Sequence, residues 1–583
     1  MRPFPVRTVI GPLEDHDREL VVAFGEPPDV DPELLFLVPE DPATMETALD
    51  GLELTRMARG LVFHCGPGWE KRDPDGLFKA QRRLLTDYFR NVHTPNTSPL
   101  APDPLMMRRV KEDVPELVRM TSTLENIPYL LRYPLTDKLD AQRVGLPLLV
   151  LMPGPSLKRI REHLPALAER CLVACVSRSL DFCLKAGVEP DVLVQLDTYL
   201  VQRHFFDHAP KLPRTLLVAL SITPMRTFAH LFRGVLFMDS FNPEIIPNLY
   251  RLRESNVSSL TACMGLAECL HSPRVYLAGS DLCDTDTQSG HSGGKAKAAP
   301  MVLGPNEIHM ADAQGNPVVT RMRFLATADE ADTFAKEIAG TTGTKFFNLY
   351  GTGILSREWF PPADPAEVIQ QTPVLDRAAW MDQVDRALAE PENVNLLKLR
   401  VEYLKLTEVA READQYLGWC VNEGKIEDGF RHPLARYAKH ERDFRISDDP
   451  ADQLAFGLNM VRRWKRALAD ARLVVQAHQL HSKGRKPDLL CEEQELESAP
   501  QRLAGLFPGG GFQPFWITLT KGLKTDWTET IPLPGLYQWL LNRELVLVTP
   551  LVMERYAYLF EAYAGGNVLC LKEAFKEAPE DRS

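Results

Sequence analysis

The stretch that decides the fold is PLLVLMPGPS at residues 147–156. Residues 148–152 form an uninterrupted apolar run, and the segment PGPS at 153–156 ends it abruptly before a helical pattern begins. An apolar run bounded by turn residues is typical of a parallel strand that is buried on both faces. Ligands bind beyond the carboxyl ends of such strands, and helix N-termini favour anionic groups. The sequence therefore predicts a ligand site at this turn.

The region around this stretch alternates apolar runs with helical patterns. Further strands are predicted at 171–176, 191–196, 215–220, 235–238, 274–278 and 345–349, and helices at 177–186, 258–270 and 333–339. Strands that alternate with helices form βαβ units and a parallel sheet. The central region is therefore predicted to be a doubly wound, Rossmann-like α/β domain.

The flanking regions have different patterns. Short apolar runs at 19–25, 34–38 and 61–65 alternate with helical stretches, which predicts a small α/β region. Beyond residue 361 apolar residues recur at helical spacing, and the pattern at 516–563 is also interpreted as helical. We expect a small α/β N-terminal domain at 1–125, the Rossmann-like domain at 126–360, and an all-α C-terminal domain at 361–583.

Composition excludes several classes of protein. The formal net charge of −12 over 583 residues argues against general nucleic-acid binding, which needs a basic surface. The ten cysteines are too few for a disulfide scaffold, and buried free thiols are expected at Cys171, Cys175, Cys183, Cys263 and Cys269. The N-terminus lacks the apolar core of a signal peptide, and no apolar run approaches the ~18 residues of a membrane span. We expect a cytoplasmic protein without membrane contact.

The turn after the first central strand holds the first candidate site residues. Gly154, Pro155 and Ser156 could cradle a phosphate or hold a nucleotide ribose. The alternative is that Ser156 caps the following helix, which serine does very often. The sequence alone does not decide between these two interpretations.

Two other predicted strands end in a carboxylate. Asp197 follows VLVQL, and Asp281 follows Gly279 and Ser280 after RVYLA. Each carboxylate could bind a sugar hydroxyl or a metal, or could cap the next helix. Because three strands of one domain end in polar turns, a shared site at this edge of the sheet is favoured.

The loop CDTDTQSGHSGGK at 283–295 is too rich in glycine, serine and threonine to pack in a core. His291 lies between two glycine-containing segments, where a mobile loop could present a general base, or could be a surface histidine without a role. Asp284 and Asp286 form a DxD pattern, by which many glycosyltransferases hold Mg²⁺ or Mn²⁺, although so short a pattern also arises by chance. A divalent metal is the one cofactor that the sequence suggests.

Further along the chain, the segment VVTRMRF at 318–324 supplies hydroxyl and cationic groups. Thr320 and Arg323 could recognise phosphate or carboxylate, since the arginine fork donates hydrogen bonds in pairs. Salt bridges on a solvated face are the alternative. Asn348 precedes another polar turn, YGTG at 350–353, after the last predicted strand.

These motifs, taken in order, resemble one family. The set comprises GPSL at 154–157, AGVEPDVLVQLD at 186–197, SSLTACMGLAECLHSPRVYLAGSDL at 258–282, GHSGG at 290–294, VVTRMRF, and FFNLYGTGI at 346–354. It resembles the motility accessory factor (Maf) family of flagellin glycosyltransferases over roughly residues 146–355. The turn LYGTG lacks the acid that this family commonly carries there, which leaves the identity of the sugar open.

The resemblance implies a sialyltransferase-like central domain. Such a domain would transfer a nonulosonic acid, of pseudaminic or legionaminic type, from its CMP-activated form to Ser or Thr of flagellin. The C-terminal domain would bind flagellin. The same core occurs in archaeal 6-hydroxymethylpterin diphosphokinases (MptE-like proteins), so a nucleotide-dependent diphosphokinase is one alternative. A non-catalytic protein that binds flagellin is the other.

The mechanism predicted from this resemblance is direct displacement at the anomeric carbon. His291, or otherwise Asp281, would take the proton of the acceptor hydroxyl, and Arg323 or a neighbour would offset the charge of the leaving phosphate or the sugar carboxylate. The CMP moiety would be held by the strand-end residues Gly154, Pro155, Ser156, Ser177 and Asp197. Gly279, Thr320 and Asn348 complete the expected binding set.

Overall fold

The computed structural model is an α/β protein in which parallel sheets predominate, as predicted. It describes residues 6–10, 13, 19–25, 27–39, 42–66, 74–88, 116–132, 135–196, 206, 209–223, 225, 229–238, 258–284, 307–389, 396–423, 455, 457–465, 467–468, 488–491, 513–518, 529–532, 546–549, 552 and 568–570. These residues form three parallel sheets and one antiparallel hairpin. Within these ranges none of the helices combines the length and the apolar character needed to cross a bilayer.

The N-terminal region contains a four-stranded parallel sheet in the order β1-β4-β2-β3. Its strands are β1 (Val6–Ile10), β2 (Leu20–Phe24), β3 (Leu35–Val38) and β4 (Leu61–Cys65). Helices α1 (Pro42–Asp50) and α2 (Pro74–Tyr88) follow β3 and β4. The predicted small α/β fold is confirmed. The edge strand β1 was not predicted, because VRTVI contains too few consecutive apolar residues.

The central region is built on an eight-stranded sheet whose strands all run parallel. The strands from residue 148 to 363 are β5 (Leu148–Leu151), β6 (Leu172–Val176), β7 (Val192–Gln195), β8 (Leu212–Ala219), β9 (Phe232–Phe237), β10 (Arg274–Ala278), β11 (Glu307–Ala311), β12 (Pro317–Arg321), β13 (Lys345–Leu349) and β14 (Pro362–Ala363). All except β11 and β12 belong to this sheet. The strands predicted from apolar runs are therefore confirmed, with ends that differ by a few residues.

The strand order of this sheet, β14-β13-β10-β5-β6-β7-β8-β9, reverses direction next to β5. The chain moves outward from β5 to β9, then returns through β10 to the other side of β5 and continues to β13 and β14. The chain therefore leaves β5 and β10 toward opposite sides of the sheet, and such a reversal forms a crevice beyond the strand ends. This crevice lies at the turn that the sequence singled out.

Both faces of the central sheet are covered, which explains the uninterrupted apolar runs. Along β5, Leu148 and Val150 belong to one buried cluster, and Leu149 and Leu151 belong to another on the opposite face. A strand buried on both faces has apolar residues at every position. The five cysteines predicted to be buried thiols are buried and free of disulfides.

Helices pack on this sheet and continue beyond it. Those up to residue 342 are α3 (Glu116–Arg132), α4 (Asp137–Asp140), α5 (Leu164–Ala168), α6 (Ser177–Lys185), α7 (Ser259–Cys269) and α8 (Met322–Thr342). They are followed by α9 (Pro365–Gln371), α10 (Arg377–Ala389) and α11 (Leu396–Asn422). The hairpin of β11 and β12, which was not predicted, is inserted between β10 and α8.

The prediction of an all-α region beyond residue 361 is wrong in its last part. Helices α9 to α11 agree with it, but residues 488–570 contribute a five-stranded parallel sheet in the order β17-β16-β15-β18-β19. Its strands are β15 (Asp488–Cys491), β16 (Gln513–Thr518), β17 (Glu529–Pro532), β18 (Val546–Val548) and β19 (Val568–Cys570). Short apolar runs that lack helix length and contain β-branched or aromatic residues favour strands. The domain boundaries after residues 125 and 360 stay predictions.

An ion pair ties α10 to the amino-terminal end of the central sheet, opposite the crevice. One carboxylate oxygen of Asp191, just before β7, accepts a hydrogen bond from Val173 N–H at 2.8 Å, and the other pairs with the Arg377 guanidinium. The Asp191 side chain is 2% exposed and that of Arg377 is 29% exposed. Burial raises the pKa of the Asp191 carboxyl, and Arg377 opposes this shift.

Replacing Arg377 by Met is expected to lower the free energy of unfolding by about 3 kcal/mol, since it leaves a buried carboxylate without its cation. Arg386 is an exposed arginine of the same helix, and Arg386→Met is the control, with an expected change below about 0.5 kcal/mol. Urea-induced unfolding of the full chain measures both. Equal losses in the two variants would contradict a stabilising role for the ion pair.

Candidate functional site

Three strand-end segments meet at the crevice. They follow β5 (residues 152–156), β10 (residues 279–284) and β13 (residues 350–353). Met152 N–H donates to the Ala278 carbonyl at 2.8 Å, and Gly154 N–H donates to the Gly279 carbonyl at 2.8 Å. Ile354 N–H donates to the Asp281 carbonyl at 3.0 Å. These backbone hydrogen bonds fix the three segments against one another.

Glycines allow the segments to approach this closely. A Cβ atom on Gly154 would lie 2.3 Å from the Gly279 carbonyl oxygen, and one on Gly279 would lie 2.1 Å from the Met152 carbonyl oxygen. A Cβ atom on Gly353 would lie 2.3 Å from the Asp281 carbonyl oxygen. Gly279 and Gly353 also have positive φ angles of +73° and +88°, a backbone conformation that residues with a side chain rarely adopt. The junction therefore requires glycine at all three positions.

Asp281 lies at the centre of this junction. One of its carboxylate oxygens accepts a hydrogen bond from Ser156 N–H at 2.9 Å, and the other accepts one from Thr352 Oγ1 at 2.8 Å. The residue is 4% exposed. A single carboxylate thus joins the segments after β5, β10 and β13.

The β11–β12 hairpin lies against two of the same segments. Thr320 Oγ1 donates to the Leu282 carbonyl at 2.7 Å, and Val319 pairs with Asp284 through two backbone hydrogen bonds of 2.7 and 2.9 Å. Ala313 N–H, between the two strands, donates to the Gly353 carbonyl at 2.9 Å. The hairpin is therefore a fixed wall of the crevice rather than a separate arm.

A cavity of about 310 Å³ opens between the hairpin and the strand ends. Its size is at the lower end of the range for small-molecule sites. It is lined by Pro155, Ser156, Lys158, Arg159, Asp281, Cys283, Asp312, Asn316, Val318, Thr352 and Gly353. The cavity therefore combines two carboxylates, two cations and several hydroxyl and amide groups.

Asp312 shapes the hairpin turn on this wall. Its Oδ1 atom accepts hydrogen bonds from the N–H groups of Gln314 and Asn316, both at 2.8 Å. Its Oδ2 atom accepts one from Asn316 Nδ2 at 3.2 Å. Such local bonds from an aspartate to the following backbone are typical of turns. Asp312 therefore orients the turn at the cavity.

Arg159 and Tyr350 form a contact at the cavity. The guanidinium carbon of Arg159 lies 4.1 Å from the centroid of the Tyr350 ring, and the phenol donates to the Arg159 carbonyl at 2.9 Å. Burial raises the pKa of the Tyr350 phenol, and the positive charge of Arg159 opposes this. The phenol is therefore protonated at neutral pH and remains a hydrogen-bond donor.

Cys283 is the cysteine that lines this cavity, and its surroundings make its thiol unreactive. Burial raises the pKa of the Cys283 thiol well above its usual value, and the charges of Asp281, Asp312 and Asp284 raise it further. The thiolate is the nucleophilic form of cysteine. Cys283 is thus unsuited to covalent catalysis.

The structure brings some of the predicted site residues together. Pro155, Ser156 and Asp281 line the cavity, and Gly154 and Gly279 form the junction behind it. Two more support these loops: Thr320 through its bond to Leu282, and Asn348 through its Nδ2 donating to the Thr352 carbonyl at 2.8 Å. Ser177 is buried at the start of α6, after β6, and is not among the lining residues.

The GPS turn differs from the expected phosphate cradle. The N–H groups of Gly154 and Ser156 already donate to Gly279 and Asp281, and Pro155 has no N–H group. The following element is a six-residue 3₁₀ helix, Pro155–Ile160. The turn therefore presents side chains, rather than these two amides, to the cavity. Nucleotide binding by these residues stays a prediction.

Other predicted residues lie outside the described part of the chain. Asp197, Asp286 and His291 are among them, as is the side chain of Arg323, whose backbone lies in the first turn of α8. Asp284 lies within the described ranges, and its Oδ2 atom is 3.6 Å from Nη2 of Arg321. Within the described ranges, no group of three or more His, Cys, Asp or Glu side chains could hold a metal ion. The proposed DxD metal pair stays a prediction.

The residues of the cavity and its support that sequence analysis did not identify include Lys158, Arg159, Asp312, Asn316 and Tyr350. The two cations directly follow the GPSL motif, so charge next to a candidate turn was the available signal. Asp312 and Tyr350 gave no such signal, because each acts through a hairpin or a contact between distant segments.

The strand order and the cavity at its reversal define the central region as a Rossmann-like α/β domain. Residues 121–287 match the model of a family described as 6-hydroxymethylpterin diphosphokinase MptE-like. The solved structure of a Maf glycosyltransferase from Magnetospirillum magneticum AMB-1 is similar at 14% identity and a TM-score of 0.40, over 76% of this chain and 75% of that chain. A comparison with curated proteins finds no match. The family match agrees with the MptE-like core predicted for the central region, and a Maf glycosyltransferase is among the similar solved structures.

The glycine junction can be tested with two glycines that share a φ angle of +73°. Gly343→Ala has open space around its new Cβ atom, so only the backbone cost of about 1–2 kcal/mol is expected. Gly279→Ala adds the collision with Met152 and should lose a further ~1–3 kcal/mol. Urea-induced unfolding compares the two, and equal losses would show that the junction is not tightly packed.

The inertness of Cys283 predicts its labelling behaviour. In the folded protein, iodoacetamide at mildly alkaline pH should leave Cys283 unmodified while it alkylates free cysteine added to the same solution, because burial suppresses the thiolate. After unfolding in urea, Cys283 should react readily. Peptide mass mapping of the two samples measures this, and rapid labelling in the folded protein would refute the assignment.

Proposed function

We propose that this protein is a glycosyltransferase that uses a nucleotide-activated sugar. More specifically, the donor is a CMP-activated nonulosonic acid of pseudaminic or legionaminic type, and the acceptor is Ser or Thr of flagellin. The reaction serves flagellum assembly and motility and takes place in the cytoplasm. The ordered motifs that resemble the Maf family support this assignment.

The observation that carries the proposal is the cavity at the strand reversal. Its carboxylate Asp281 belongs to the motif GSDL, and Ser156 on the same wall belongs to the motif GPSL. Two motifs that are 125 residues apart in the sequence are thus joined by one hydrogen bond. A mixed lining of carboxylate, cationic and hydroxyl groups suits a ligand that carries both sugar hydroxyls and negative charge.

The proposed reaction is a direct displacement with inversion at the anomeric carbon. The acceptor oxygen forms a bond to that carbon while the bond from carbon to the phosphate oxygen breaks, and CMP leaves with the electron pair. The proton of the acceptor hydroxyl passes to a base, for which His291 is the first candidate and Asp281 the second. The remaining lone pairs of the Asp281 carboxylate could accept this proton beside its bonds to Ser156 and Thr352.

The C-terminal region is the proposed binding surface for flagellin. Its described part begins with α9 to α11 and ends with the five-stranded sheet. In this proposal the central crevice holds the donor, and residues 361–583 present the acceptor.

A second candidate function is a nucleotide-dependent diphosphokinase. The match of residues 121–287 to the MptE-like family favours it, and it would use acidic strand ends with magnesium. A non-catalytic flagellin-binding protein is the remaining alternative. Calorimetry with CMP and with ATP, each with and without Mg²⁺, separates the two enzymes, because the diphosphokinase would bind ATP in a magnesium-dependent manner.

The intact mass of flagellin from cells with and without this gene tests the transfer. We expect a mass increase per modified residue that disappears without the gene. Of the variants His291→Ala and Asp281→Asn, the one that removes the proton acceptor should reduce the rate of modification by about 10²-fold or more.

Two controls accompany this test. His230→Ala changes an exposed histidine of the 3₁₀ helix Ala229–Leu231 and should keep full activity. Thermal unfolding separates loss of chemistry from loss of fold in Asp281→Asn, because this residue also holds the junction. A flagellin mass that does not depend on the gene would reject the transferase, and full activity in both site variants would reject the proposed bases.

A further inference from the structure

Two cationic residues of the cavity have no role in the reaction proposed above. Lys158 and Arg159 lie side by side in the 3₁₀ helix Pro155–Ile160, are exposed, and line the cavity. In the part of the chain that the structure describes, neither forms an ion pair with a carboxylate. Their positive charge is therefore available to an anionic ligand.

The two carboxylates of the cavity already accept hydrogen bonds from the protein. The oxygens of Asp281 bind Ser156 N–H and Thr352 Oγ1, and those of Asp312 bind the backbone and side chain of the hairpin turn. These acids hold the loops in place, whereas Lys158 and Arg159 are exposed residues that line the same cavity. An anion is thus expected on the side of the two cations.

Tyr350 holds Arg159 in position. Its ring lies under the Arg159 guanidinium, and its phenol donates to the Arg159 carbonyl. The Tyr350 side chain therefore contacts both the side chain and the backbone of Arg159. A cation stacked on an aromatic ring loses less freedom when it binds a ligand. This arrangement preorganises the guanidinium.

The backbone of Tyr350 adopts an uncommon conformation that keeps the ring there. Its φ angle is +68°, in the left-handed region that favours glycine. Its N–H donates to the Ala363 carbonyl at 3.1 Å, and its carbonyl accepts from Gln314 Nε2 at 2.7 Å. Backbone strain that the surroundings maintain is often found at ligand sites. The turn, the hairpin and β14 thus together hold this ring.

We infer that Lys158 and Arg159 bind the phosphate of the nucleotide donor, and that Tyr350 is the positioning residue for Arg159. This inference rests on the proposed function for the identity of the donor, and it assigns the cationic role to residues other than Arg323. Arg159 donates to the phosphate oxygens in pairs through its planar fork, and Lys158 adds a point charge. The phosphate then faces the cations, and the sugar extends toward Asp281.

Calorimetry of the full chain with CMP and with cytidine tests the subsite, because the two ligands differ only in the phosphate. The wild-type protein should bind CMP more tightly than cytidine. Arg159→Met should weaken CMP binding roughly tenfold or more and leave cytidine binding unchanged. Lys158→Met should act in the same direction. Arg161→Met is the matched control, since Arg161 is an exposed arginine two residues away that does not line the cavity.

The positioning role of Tyr350 has its own signature. Tyr350→Leu removes the stacked ring and should weaken CMP binding but not cytidine binding. Tyr350→Phe keeps the ring and should restore most of the affinity for CMP. Thermal unfolding of both variants reports the integrity of the fold. Equal CMP affinity in the Leu and Phe variants would overturn this role.

The outcomes separate this inference from the proposed function. If the wild-type protein binds CMP but Arg159→Met and Lys158→Met bind it equally well, the subsite is wrong and the proposed donor stands. If these variants lose affinity for free N-acetylneuraminic acid but not for CMP, the cations bind a carboxylate, and the phosphate assignment is overturned. If the wild-type protein binds neither CMP nor cytidine, the proposed donor and the subsite fall together.

Discussion

The hydrogen bonds of one buried carboxylate organise the crevice of this protein. Asp281 joins Ser156 to Thr352, and so connects loops that follow three neighbouring strands. A buried carboxylate is costly unless it is well hydrogen-bonded, so this arrangement is stable only while both partners are in place. The glycines at the junction supply the close approach that these bonds need. The shape of the cavity follows from this junction.

The position of the junction is a consequence of chain topology. Because the strand order reverses beside β5, the chain leaves β5 and β10 toward opposite sides of the sheet once it has passed their hydrogen-bonded ends, and a space forms beyond this junction. The β11–β12 hairpin closes one side of that space, and its turn places Asp312 and Asn316 on the cavity wall. A general property of open α/β sheets thus becomes a specific site through an insertion of this chain.

The sequence predicted the central sheet well, because strands buried on both faces appear as unbroken apolar runs such as LLVL and LVACV. It failed for the C-terminal sheet, where short runs such as VLV are too brief to separate strand from helix. It identified Asp281 and Ser156 as candidates, but not their mutual bond. Arg159 and Tyr350 are 191 residues apart, and spacing along one sequence carries no information about such a contact.

The β11–β12 hairpin also contacts the N-terminal region of the chain. Strand β11 packs beside β1, and Ala311 N–H donates to Gln81 Oε1, a buried side chain of α2, at 3.4 Å. During synthesis, β1 at the edge of the N-terminal sheet cannot contact β11 until some 300 further residues have been made. Contacts of such long sequence separation form late in folding. The cavity wall is thus completed only after more than half of the chain has been synthesised.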